Sequence, residues 1–161
     1  MLLALTLLFL SPSINAGIGK VTEEKGIAEI TRQKNKVGVK NGTDIQSMDN
    51  VQTGNGVVGI TFEDNTKVRV TENSKLLIDD FVYDPNKKGA GKLALKVAMG
   101  TVRYASGNIA HENNKNVSVN TPTATVAVRG TAFTMTVDEV GKILVGVNTA
   151  PPETESLSKQ A

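Results

Sequence analysis

A GxGxxG pattern at residues 54–59 is the first feature of this sequence whose spacing could support chemistry. In dinucleotide-binding proteins such glycines join a strand to a helix whose N-terminus faces the pyrophosphate. Here they lead into Ile60-Thr61-Phe62 and a second strand-like segment, so no helix is predicted. Asp79 and Asp80 follow at about the distance of a ribose ligand, but only after two strands. We interpret the glycines as permitting a turn and a close approach of strands.

Few arrangements of residues in this sequence could act as a catalytic or metal-binding site. His111 is the only histidine, in a polar stretch typical of an exposed loop, and one histidine cannot form a metal cluster. Adjacent acidic residues occur, for example, at Glu23-Glu24, Glu63-Asp64 and Asp79-Asp80. Neighbouring residues on a strand point to opposite faces, so these pairs are not expected to converge as a hydrolase site requires. With no cysteine and no GxSxG, P-loop or HExxH pattern, we predict no catalytic residue, metal site or cofactor.

The segment 121–131 carries the most informative polar pattern. Pro122 fits the first residue of a strand, where a missing N–H is tolerated. Gly130 would allow the chain to bend or bulge before alternation resumes. Arg129, just before that bend, has the donors to hold a carboxylate through two hydrogen bonds and so fix two strands. Ligand binding by Arg129 is the alternative; we expect the structural role.

Composition narrows the class of protein. The chain has 161 residues, enough for one domain, and 18 basic against 16 acidic residues give a net charge of +2. This balance predicts no nucleic-acid partner, and 4% aromatic residues leave few rings for stacking on bases or sugars. The absence of cysteine excludes a disulfide framework and zinc–thiolate sites.

Apolar residues alternate with polar ones along most of the chain after Ala16, which is typical of half-buried strands. The alternating segments are residues 60–62, 68–70, 92–97, 117–119, 126–128 and 133–137. Turn signals separate them, and no stretch after Ala16 has apolar residues at helical spacing for three turns. We predict an all-β fold of many short antiparallel or solenoid-like strands, forming a small β-sandwich or β-roll. With no strict repeat, periodicity does not choose between a sandwich and a solenoid.

The two ends of the chain differ from its middle. Leu2 to Leu10 is apolar and Ala16 is a small residue suited to cleavage, which predicts a signal peptide at 1–16, although no basic residue precedes the run. The alternative is a buried apolar strand or helix. The run is too short to cross a bilayer, so we expect no stable membrane span after cleavage. A β domain is predicted for 17–149 and a disordered tail for 150–161.

The sequence resembles the FecR domain family over about residues 26–137. Matching blocks are Asp49-Asn50-Val51-Gln52-Thr53-Gly54, Ile60 to Thr66, Glu72-Asn73-Ser74 with Leu76 to Tyr83, Gly100, and Thr121-Pro122 with Val126 to Thr131, all in the order that the family has. The resemblance identifies eight family-motif residues, for which we expect structural roles. These are Asp49, Thr53, Gly54, Thr121, Pro122, Arg129, Gly130 and Thr131.

The resemblance implies an all-β, extracytoplasmic sensing domain without catalytic residues or cofactors. Family members that regulate iron uptake carry a cytoplasmic anti-sigma segment and one transmembrane helix ahead of this domain. They receive a signal from an outer-membrane transporter and pass it to a sigma factor. This sequence has only a signal-peptide-like segment before the domain, so we expect a stand-alone FecR-like module, exported to the periplasm or the cell surface.

Three functions are therefore ranked. The first is a non-enzymatic sensing module that binds an envelope protein in signalling, through sheet edges and loops. The second is a structural or scaffold β protein of the envelope or of a larger assembly. The third, a carboxylate-dependent hydrolase, has no supporting motif. The identity of the partner, the signal and the oligomeric state stay open.

Overall fold

Alternating apolar and β-branched residues form strands throughout the computed structural model, which describes residues 16–128 and 131–147. The predicted signal peptide (except Ala16), Arg129, Gly130 and the predicted tail at 150–161 lie outside these residues. The described strands are β1 (Gly19–Arg32), β2 (Asn35–Val37), β3 (Asp44–Ile45), β4 (Asn50–Phe62), β5 (Lys67–Val70), β6 (Lys75–Val82), β7 (Lys92–Ala105), β8 (Val117–Asn120), β9 (Thr125–Ala127), β10 (Ala132–Val137) and β11 (Ile143–Val147).

The connection between β7 and β8 contains the only described helical residues. A single helical turn, α1 (Asn108–Glu112), is followed by a 3-10 helix (Asn114–Asn116). His111 is exposed, as predicted, but it lies in α1 and not in a loop. Among the residues that the structure describes, no helix has the length and apolar character needed to cross a membrane.

Three long strands build both layers of the fold. The first layer has the order β3-β1-β4-β5-β7-β10-β11, and the second has the order β2-β1-β4-β6-β7-β8-β9. β1, β4 and β7 each contribute one half to the first layer and the other half to the second. All described pairings are antiparallel except that of β7 with β8. The prediction of an all-β fold is therefore confirmed.

The core lies between the two layers. The rings of Phe62, in the first layer, and Phe81, in the second, stack with centroids 5.4 Å apart. Tyr104 and Phe133 stack at 5.0 Å within the first layer. Around them pack the inward-facing aliphatic residues of every long strand, for example Ile30, Ile60 and Leu95, each at most 1% exposed. Their burial supplies the main favourable term for folding.

Glycines allow the long strands to bend between the layers. A Cβ on Gly56 would lie 2.5 Å from the Ile27 carbonyl oxygen, so the close approach of strands predicted for residues 54–59 is confirmed. The predicted turn at 54–59 is wrong, because these residues stay extended within β4. In β7, Gly100 has a φ of +90°, and a Cβ there would lie 2.1 Å from Ser74 Oγ.

Candidate functional site

Five polar side chains are buried among the described residues, and they explain most of the sequence motifs. They are Asp49, Thr53, Asp64, Thr66 and Ser74. Each is hydrogen-bonded, as buried polar groups must be to avoid a desolvation cost. These residues hold turns together, so the motif residues among them are part of the scaffold.

Asp49 joins the end of β1 to the turn before β4. Its two carboxylate oxygens accept hydrogen bonds from Arg32 Nε and Nη2, both at 2.8 Å, and the backbone N–H of Gln46 donates to Oδ2 at 2.9 Å. The hydrogen bond to Asp49 is the main reason why the pKa of Arg32 is raised. Sequence reasoning selected Asp49 but missed Arg32, because their pairing depends on a contact across 17 residues.

Thr53 and Ser74 connect β4 and β7 through the turn between β5 and β6. Thr53 Oγ1 donates to the Thr71 carbonyl and accepts from the Ser74 backbone N–H at 3.0 Å. Ser74 Oγ in turn accepts from the Thr101 backbone N–H at 2.9 Å. The Gly54 carbonyl accepts from Asn73 N–H at 2.9 Å in the same region. β4, the β5–β6 turn and β7 are thereby fixed at one point.

Asp64 anchors α1 to the β4–β5 turn. Its carboxylate accepts from Thr66 Oγ1 at 2.7 Å and from the backbone N–H of Ile109 at 3.2 Å. The Asp64 carbonyl also accepts from Asn108 N–H at 2.7 Å. The carboxylate therefore holds two distant segments in register.

The adjacent acidic pairs do not converge on a common cleft. Glu23 binds Arg69 through two hydrogen bonds, which are the main cause of the lowered pKa of Glu23. Asp79 and Asp80 bind different lysines, at 3.1 and 2.8 Å. Across residues 16–128 and 131–147, no three potential ligands among histidine, cysteine and the acidic residues are grouped as a metal site.

The Thr121-Pro122 motif forms the turn between β8 and β9. Thr121 Oγ1 accepts from the backbone N–H of Ala124 at 3.1 Å, and Thr121 N–H donates to the Ala124 carbonyl at 2.8 Å. Pro122 is exposed in this turn, so its predicted place as the first residue of a strand is wrong. Thr131 is exposed, and its carbonyl accepts from Ser106 N–H at 2.7 Å. Thr121 and Pro122 are therefore motif residues available at the surface.

Beside this turn lies a groove of about 410 Å³ on the outer face of the second layer. The groove crosses four neighbouring strands, because the strand register places four of its lining residues in one row. These are Asn50, Leu77, Lys96 and Asn120. Ala98 and Pro122 add apolar surface, and Lys75 lies at the same face. The volume falls within the range typical of ligand pockets.

The charges of this groove are positive and only partly neutralised. Lys96 Nζ lies 3.1 Å from Asp79 Oδ2, whereas Lys75 forms no ion pair with any residue in the described ranges. An apolar floor beside an unpaired ammonium group suits an apolar segment that also carries a carboxylate. We call this groove, which is lined by Asn50, Lys75, Leu77, Lys96, Ala98, Asn120 and Pro122, the lysine groove. Sequence reasoning missed it, because the register that assembles its row is not visible in any one segment.

The last described strand, β11, is an apolar sheet edge. Leu144 is 74% exposed, Val147 is 64% exposed, and no charged residue interrupts Ile143–Val147. β11 pairs with β10 on one side only among the described strands, so its other edge presents backbone N–H and C=O groups. Sequence reasoning assigned no strand here, although the short apolar run was a usable signal.

Comparison with known proteins gives one match. A family model described as FecR protein matches residues 49–149, more than half of the chain. The match includes Asp49, the Thr121-Pro122 turn and β11. Searches of curated proteins and of solved structures each gave no significant match.

Proposed function

Because the chain belongs to the FecR protein family, we propose that it is a non-enzymatic sensing module that binds a protein partner outside the cytoplasm. The family match is the observation that carries this proposal. The distribution of polar groups supports it: Glu23, Asp79 and Asp80 are each engaged by a cation of their own and Asp64 is buried in a turn, while apolar and basic groups remain accessible. Such a surface is suited to binding rather than to acid–base chemistry.

The lysine groove is the proposed contact site. Its apolar floor at Leu77, Ala98 and Pro122 would accept an aliphatic side chain, and Lys75 would pair with a carboxylate of the same segment. The partner is therefore an extended acidic–apolar segment of another protein. Charge complementarity of this kind contributes more to orientation and association rate than to affinity.

Site-directed photo-crosslinking tests the contact. A photoreactive amino acid at Ala98, in cells that naturally make the protein, should yield a discrete adduct with one protein. The same group at Lys88, exposed in the loop between β6 and β7, is the matched control. The purified partner should bind wild type and the Lys88→Glu variant equally, and Lys75→Glu at least about tenfold more weakly. Identical adducts from both positions, or equal binding by all three proteins, would contradict the proposal.

Export is a separate part of the proposal and has its own test. Expression of the full chain in a Gram-negative host should give a periplasmic species that begins at Gly17, measured by intact mass after cell fractionation. A cytoplasmic species that retains Met1 would remove the extracytoplasmic setting. The scaffold function would then become the better proposal.

The β11 edge favours that second candidate function, a scaffold built from copies of this chain. Two β11 strands pairing antiparallel about Val145 would place Ile143 opposite Val147 of the other copy and cover apolar residues on both. Light scattering should then show a dimer that Val145→Lys converts to a monomer, because a charge on an edge strand opposes pairing. A monomer at all concentrations would exclude the scaffold.

A further inference from the structure

We propose that the outer face of the first layer binds a phosphate group, through Arg103 and Lys67 beside a fixed Arg69. This face lies on the opposite side of the sandwich from the lysine groove, and the proposal does not rest on the sensing function. It follows from strand register, from charge and from the shape of the surface.

The register brings two arginines directly opposite each other. Arg69 in β5 pairs with Arg103 in β7, and the row continues through Gly59 to Glu23 on one side and to Thr134 on the other. Like charges directly opposite on neighbouring strands destabilise a sheet. The sequence thus contains a cationic pair that folding alone does not favour.

Only one of the two arginines has a carboxylate partner. Arg69 donates from Nε and Nη2 to Glu23 at 2.8 and 3.0 Å. Arg103 is exposed and forms no ion pair with the residues that the structure describes, and the same is true of Lys67. The ion pair with Glu23 holds Arg69 in place, and two cationic side chains beside it remain available to an anion.

A shallow recess of about 280 Å³ lies between these side chains. Small residues, Gly59, Ala105 and Ala132, line it, so an anion can approach close to the strands. Three basic side chains and a single carboxylate, that of Glu23, line the recess, which therefore has an excess of two positive charges.

A group with several oxygens fits these donors best. An arginine guanidinium presents a planar set of N–H donors that matches phosphate, and a lysine adds a compact charge. The hydroxyls of Thr22 and Thr61, which hydrogen-bond each other at 3.1 Å, lie at the same recess. A phosphate could be free in solution or carried by a lipid headgroup, and the test separates these sources.

Thermal unfolding with inorganic phosphate is the first test, with chloride at equal ionic strength as reference. A ligand that binds only the folded state raises the unfolding temperature of the protein. Phosphate should raise the unfolding temperature of wild type and of the Lys88→Gln variant, in which a charge in the distant β6–β7 loop is removed. Added phosphate should leave the unfolding temperature of the Arg103→Gln variant unchanged. The Lys67→Gln substitution should weaken phosphate binding about tenfold.

The phosphate-free protein supplies a second readout that a general loss of folding cannot imitate. Because Arg103→Gln removes the like-charge pair, this variant should unfold at a higher temperature than wild type. Loss of phosphate binding together with increased stability supports the site. An equal phosphate response from Arg103→Gln and Lys88→Gln, or a less stable Arg103→Gln variant, overturns the proposal.

Vesicle sedimentation identifies the source of the phosphate. Vesicles of phosphatidylglycerol and phosphatidylcholine should bind wild type more than Arg103→Gln if a lipid headgroup is the ligand. Binding of free phosphate without that preference assigns a soluble phosphate. If neither probe distinguishes wild type from Arg103→Gln, the recess is not a phosphate site.

Discussion

Arg32 and Asp49 form a two-point ion pair, with both N–O distances at 2.8 Å, although the Asp49 carboxylate is fully buried. Replacing Asp49 by Asn removes the charge while keeping the size of the side chain. The change leaves Arg32 without its carboxylate and should cost about 3 kcal/mol of unfolding free energy. Urea unfolding followed by circular dichroism measures this loss.

The matched control for that substitution is Asp44→Asn. The carboxylate of Asp44 pairs with Lys20 at 3.5 Å, but both side chains are well exposed. An exposed pair of this kind contributes little, so the variant should stay within about 0.5 kcal/mol of wild type. Equal losses from the two variants would show that burial of Asp49 is not what makes its pair important.

Gly100→Ala should disrupt the bend in β7. A Cβ at this position would lie 2.1 Å from Ser74 Oγ, and the φ of +90° is unfavourable for any side chain. We expect a loss of about 3 kcal/mol, measured by the urea midpoint. Gly38→Ala is the control, because its Cβ would have no neighbour within 4 Å. A neutral Gly100→Ala would contradict the close packing of Ser74 against β7.

The ion pair between Glu23 and Arg69 should make stability depend on pH in acid. The hydrogen bond from Arg69 lowers the pKa of Glu23 below its ordinary value of 4.5. Its stabilising contribution is therefore present above that value and is lost as the pH falls through the lowered pKa. Thermal unfolding of wild type and Glu23→Gln should differ at neutral pH and converge in acid. A constant difference across the pH range would contradict the prediction.

Tyr104 should show the opposite dependence, at alkaline pH. Burial raises the pKa of its phenol above the ordinary value of 10.0, so the folded state favours the protonated form. The stabilising contribution is present below that value and is lost as the pH rises through the raised pKa. In a Tyr83→Phe variant Tyr104 is the only tyrosine, and phenolate absorbance should appear only as the protein unfolds. Ionisation of the folded protein at the ordinary pKa would contradict the burial.

Local signals predicted several of the short strands. The alternation of Ile60, Phe62, Val68 and Val70 around a polar turn became the β4–β5 hairpin, because one face of each strand is buried. β1 was not predicted from its sequence. In this strand of 14 residues only Gly19, Val21 and Ile30 are buried, so the alternation is faint and pairing with β4 determines the strand.

The candidate sites could not be predicted, for a related reason. Arg69 and Arg103 are 34 residues apart in sequence, and nothing near either residue specifies that they lie opposite each other. Likewise Asp64 is indistinguishable in sequence from the exposed Glu63 until Thr66 and Ile109 supply its donors. Register between distant strands decides the first relation, and the packing of α1 against the β4–β5 turn decides the contact of Asp64 with Ile109; local patterns encode neither.

The three strands shared by both layers restrict how the proposed sensing module could respond to a partner. Since β1, β4 and β7 each continue from one layer into the other, a movement of one layer against the other would have to bend all three strands together. We therefore expect the domain to respond to a ligand as a rigid body. A bound partner would be detected by other molecules through the surface that it covers and the position in which it holds the domain, with no internal conformational switch.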